Sequence, residues 1–138
     1  MNASEHNALV HLPVVDGAVV MGDQRGRLLG FPTANLELGD MHGHITDGVY
    51  AGQVRMESGV TCPGAISIGS RPTFYAGKAV RLLEAHLLDF AGDLYGQIIV
   101  VSLKSRLRDQ IRFTSSADLV IQLGRDIESA RAALRAQA

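Results

Sequence analysis

The chain has 138 residues, 46% hydrophobic and 20% charged, which suits one domain with its own buried core. No stretch approaches 18 consecutive apolar residues, and the formal net charge of −1 lacks the basic excess that a nucleic-acid backbone demands. A membrane helix and a nucleic-acid partner are therefore not expected. A lone cysteine, Cys62, excludes an intramolecular disulfide and a CxxC metal site, and points to a reducing, cytoplasmic setting.

The first residues, MNASEHNALVH, have no basic start followed by an apolar run, so no secretory leader is expected. Residues 1–11 read as a loose tail, and 12–138 as the domain. Strand-like runs bounded by turn residues follow in order. Leu12–Met21 is the first, ending in a loop rich in Gly and Arg. Gly48–Met56 and Val60–Gly69 flank Glu57-Ser58-Gly59 and predict a hairpin. Arg81–Leu88 and Gln97–Leu107 are further strands. The period then changes: Leu119, Val120, Leu123, Ile127, Ala130 and Leu134 recur at three- and four-residue steps and predict a helix. Ser115 is its expected N-cap, with Asp118 three residues on. Gly124 inside it should cost about 1 kcal/mol against Ala. Many strands and a final helix predict an antiparallel barrel with the helix packed outside.

Chemistry concentrates between Gly22 and Asn35. Glycines at 22, 26 and 30 let a backbone approach an anion, and Arg25 and Arg27 add cationic donors. On glycine spacing alone, a flexible hairpin loop with solvated arginines is the more natural reading. No GxxxxGK[ST] motif occurs, so this is not a Walker A loop. Thr33 and Asn35 are two apart and share one side of an extended segment. A hydroxyl and an amide carbonyl are hard oxygen ligands suited to Mg²⁺, although a Thr/Asn turn capping its own backbone has the same residues. Farther on, Glu84 and His86 share a strand face with Leu82 and Leu88. Partial burial there would strengthen Glu84 as a base, whereas a solvated face would leave it an ordinary ion-pair partner. His42-Gly43-His44 reads as a polar loop.

The segment GRLLGFPTANL resembles the signature of the riboflavin kinase family, whose PTAN tetrapeptide is its most specific mark. Gly17–Asp23, Asp47–Ala51, Ile68–Phe74, Glu84–Phe90 and Asp93–Gly96 extend the resemblance over roughly residues 12–135. It implies a six-stranded antiparallel Greek-key barrel, with the C-terminal helix outside. It implies an ATP:riboflavin phosphotransferase that makes FMN, with Mg²⁺ held by Thr33 and Asn35, and Glu84 as catalytic base. Gly22, Arg25, Gly26 and Arg27 join Thr33 and Asn35 in binding the nucleotide. Tyr75 and Phe113 are candidates to pack on the flavin, and Arg108 to bind there or steer phosphate; Phe113 equally suits a staple on the first helical turn. Where the family has R-x-E-x-K-F, this chain has Arg108-Asp109-Gln110-Ile111-Arg112-Phe113, so an ion pair made by that carboxylate is expected to be lost. No adenylyl-transfer motif stands in these residues, so FMN rather than FAD is the expected product, from a monomer. A non-catalytic flavin- or nucleotide-binding regulator on the same barrel, and a CTP-dependent kinase, are the alternatives.

Overall fold

In Thr33-Ala34-Asn35-Leu36-Glu37-Leu38, apolar and polar residues alternate, and the alternation decides which side each faces. Ala34, Leu36 and Leu38 are buried in the core, while Thr33, Asn35 and Glu37 take the other face. The computed structural model describes residues 13–20, 30–72 and 79–136. Six strands are present among them: β1 (Val14–Ala18), β2 (Thr33–Leu38), β3 (Gly48–Arg55), β4 (Thr61–Pro72), β5 (Ala79–Leu87) and β6 (Ile98–Arg108). One helix, α1 (Ser116–Ala136), follows.

The spatial order is β1-β6-β3-β4-β5-β2, and every pairing is antiparallel. Strands β3, β4 and β5 form a meander, and β6 returns beside β3, which is the Greek-key arrangement. A bridge in which Val20 N–H donates to the Asn35 carbonyl at 2.8 Å joins the two ends of the sheet and nearly closes the barrel. In the pairing of β6 with β3, Lys104 and Leu107 are extra residues. Such bulges bend and twist a strand, as closure requires. The predicted barrel and outer helix are thus present.

The inward faces supply the main core, including Val15, Leu36, Val54, Ile66, Ile68, Leu83, Leu87, Ile99 and Val101. Gly52 and Gly64 stand opposite each other inside it. A Cβ at Gly52 would lie 2.7 Å from the Ser102 carbonyl oxygen, so only glycine lets β3 and β6 approach this closely. Cys62 is also buried there, and burial, reinforced by the charge of Asp89, pushes its thiol up to about 11.

The predicted hairpin joins β3 to β4, with Met56 N–H donating to Val60 O and Gly59 at φ 89°. At α1, Asp118 N–H donates to Ser115 Oγ at 3.1 Å, the expected N-cap. Leu123, Ile127 and Ala130 bury the helix against the outer face of the barrel, where Ala51, Ala65 and Leu88 receive it. The Arg131 guanidinium grips Asp89 with two bonds of 3.1 Å, ties the end of β5 to α1, and holds the Asp89 carboxyl below the usual carboxylate range. Nothing lies within 4 Å of a Cβ at Gly124, so no described contact there requires glycine.

Candidate active site

The outer faces of the strands carry the polar residues, and the pairing register aligns them. Asn35 pairs with Glu84, Glu84 with Ser67, Ser67 with Val49, and Val49 with Arg108. Five strands thereby place five residues in one row across the barrel wall. The adjacent row holds Thr33, His86, Ala65 and Ala51. Thr33 and Asn35 therefore share a face with Glu84 and His86 because directly paired residues point to the same side of a sheet.

This face is covered. Glu84 is 6% exposed and His86 is 3% exposed, although both point away from the barrel interior. Helix α1 and the segment between Arg108 and Ser115 lie over them. Between these layers is a small cleft of about 60 Å³. Its walls include Ser67, Glu84, His86, Gln110, Phe113 and Asp126. His86 Nε2 stands 3.8 Å from Glu84 Oε1, beyond hydrogen-bonding distance.

Thr33 Oγ1 and Asn35 Oδ1 are both buried and have no hydrogen-bond partner among the described residues. A buried oxygen without a donor costs about 1–3 kcal/mol. Two such oxygens on one face of β2, hydroxyl and amide, form a donor set whose chemistry suits a hard divalent cation. No group of three or more His, Cys, Asp or Glu side chains suited to a metal occurs among the described residues. A cation here would thus take two protein oxygens and complete its shell with water or phosphate.

Arg108 lines the cleft, but its guanidinium is largely committed. Nε and Nη2 donate to the two carboxylate oxygens of Asp126 at 2.7 and 2.6 Å, and Nη1 donates to Asp109 O at 2.8 Å. Gln122 adds a bond of 3.0 Å to Asp126. The loss expected from Gln110 takes a different form: its amide nitrogen donates to Ser67 Oγ and Ile68 O and approaches Gly48 O. Phe113, half-buried, contributes to the cleft wall. Gly22, Arg25, Gly26, Arg27 and Tyr75 lie outside the described residues. The His42–His44 loop is held by Arg81, which donates to the carbonyls of His42 and Ile45 and pairs with Asp47.

The sequence reading passed over Asp126, Ser67 and Gln122. Asp126 did leave a signal, because it sits between Leu123 and Ile127 on the apolar face of α1. An acid at such a position needs a cationic partner.

The riboflavin kinase family model, Flavokinase, matches residues 9–134. The chain belongs to the riboflavin kinase family. Among relatives within this riboflavin kinase group, a bifunctional riboflavin kinase/FMN adenylyltransferase of Haemophilus influenzae is 41% identical over 116 residues, 84% of this chain and 37% of that protein. Its Escherichia coli K12 counterpart is 41% identical over 129 residues, 94% of this chain and 40% of the relative. The chain thus spans about two fifths of the length of these curated relatives. A solved riboflavin kinase from Trypanosoma brucei superposes with a TM-score of 0.60 at 26% identity, covering 88% of this chain and 79% of that one. A Streptococcus pneumoniae structure described as a macrolide-efflux protein gives 0.72 at 37% identity, covering 87% of this chain and 38% of that one. No helix among the described residues is long and apolar enough to cross a membrane.

Proposed function

We propose that this chain transfers the γ-phosphoryl group of ATP to the ribityl 5′-hydroxyl of riboflavin, giving FMN and ADP. One observation carries the reading: Glu84, buried on the outer wall, stands in register beside Asn35, one row from Thr33, at the edge of a cleft. Family membership supplies the substrate class.

Glu84 takes the proton of the 5′-hydroxyl as its oxygen attacks the γ-phosphorus. The new O–P bond forms while the bond from phosphorus to the β-γ bridging oxygen breaks, and ADP departs with that electron pair. Thr33 Oγ1 and Asn35 Oδ1 would hold Mg²⁺, which supplies charge neutralisation on the nucleotide phosphates. Gly22, Arg25, Gly26 and Arg27 complete the phosphate site. Phe113 provides an apolar wall for the flavin ring. Arg108, whose three bonds leave two of its five N–H groups over, faces the same cleft. The domain works as a monomer in the cytoplasm.

The direct test is incubation with riboflavin, Mg²⁺ and either ATP or CTP, followed by chromatography for FMN. FMN formation with ATP is expected. Its absence with both donors, while riboflavin still binds, would replace the kinase by a flavin-binding regulator; FMN with CTP alone would replace the donor. Thr33→Ala and Asn35→Ala should each raise the magnesium concentration for half-maximal rate by about tenfold or more, since each removes one ligand. An unchanged magnesium dependence would remove these residues from the metal site.

A further inference from the structure

Gln110 is the point at which the segment after β6 is fastened to the wall that carries Glu84. Its terminal nitrogen donates to Ile68 O at 2.8 Å and to Ser67 Oγ at 2.9 Å, with Gly48 O at 3.4 Å. Two of these neighbours are backbone carbonyls, which only accept. The amide orientation is thereby fixed, because the reverse would set its oxygen against two others. Gly69 leaves room for the contact: a Cβ there would lie 3.2 Å from Gln110 Nε2 and 3.4 Å from its Cδ.

Ser67 pairs directly with Glu84 across β4 and β5. The amide therefore anchors the segment one strand away from the proposed base. The next residues of that segment, Ile111 and Phe113, form part of the cleft wall. Ile111 is exposed, and residues 109–113 have no regular secondary structure to hold them in place. A wall held before the ligand arrives costs less to order on binding.

We infer that Gln110 is a positioning residue for riboflavin: its amide clip holds the Ile111–Phe113 wall over Glu84 and sets flavin affinity without touching the nucleotide. The inference rests on the kinase reading for the identity of the ligand. Gln110→Glu keeps the shape but turns the donor into an acceptor facing acceptors. Gln110→Met keeps the length without charge and serves if the carboxylate variant does not fold.

The test is riboflavin binding by flavin fluorescence in Mg²⁺ and ADP, with ADP affinity measured separately by calorimetry. Loss of two donated bonds should raise the riboflavin Kd about tenfold. The ADP Kd should stay within about twofold, as Ser67, which Gln110 holds, lies two strands away from the β2 residues Thr33 and Asn35. An unchanged riboflavin Kd, or an equal weakening of ADP, overturns the inference. Because neither measurement needs turnover, failure of the clip is distinguishable from failure of the kinase reading, which would appear as absence of FMN from the unaltered chain.

Discussion

Glu84→Gln is expected to lower FMN formation by about 10²–10⁴-fold while leaving the barrel folded. The amide matches the carboxylate in shape but does not take up a proton at neutral pH. The backbone at this position is paired on both sides, to Asn35 and to Ser67, so its place does not depend on side-chain charge. Leu83 and Ala85, its chain neighbours, are fully buried in the core and keep the strand in register. The check is the rate of FMN production, read with a thermal unfolding curve of the same preparation. A folded variant with near-normal output would take the base role away from Glu84.

Arg108→Ala should weaken the fold by roughly 3–5 kcal/mol, because it strands a buried carboxylate. Asp126 is only 4% exposed and accepts both parallel bonds of the guanidinium. The pair links the end of β6 to the middle of α1 beneath the cleft, so its loss should also loosen the helix. Urea unfolding measures the change. Replacing both partners, as Arg108→Met with Asp126→Leu, should recover most of the lost stability, since no charge is then left buried. A loss below about 1 kcal/mol in the single variant would show that the pair acts like an exposed one. The double variant also separates two roles of Arg108: normal stability with weakened riboflavin binding assigns it to the flavin, whereas normal binding leaves it a scaffold residue.

Much of this was legible in the sequence because local rules governed it. The β3–β4 hairpin announced itself through Glu57-Ser58-Gly59, and α1 through its period and Ser115. Strand β2 was harder. Its alternation is present in Thr33–Leu38, but Pro32 and the glycine loop precede it, and from the sequence only Thr33 and Asn35 are read as extended, with a Thr/Asn turn as the alternative. Glu84 and His86 were correctly placed on one face. That part of the outward face is buried follows from α1 and residues 109–115 covering it, which no local pattern reports. The Arg108–Asp126 pair and the reach of Gln110 to Ile68 join residues distant in the chain, so they depend on topology. A glutamine in place of an acid looked like a lost ion pair, but its surroundings turned out to be carbonyls, which an amide donor satisfies.

The row Asn35–Glu84–Ser67–Val49–Arg108 also bears on how the proposed kinase activity would arise during folding. No two of these residues are neighbours in sequence, and no hairpin contains more than two of them. The row exists only after β6 has returned to β3 and β2 has docked on β5, steps that close long loops before they are rewarded by contacts. Recovery of FMN synthesis after dilution from denaturant should therefore follow the slowest barrel-forming phase, with no active fragment or early intermediate ahead of it.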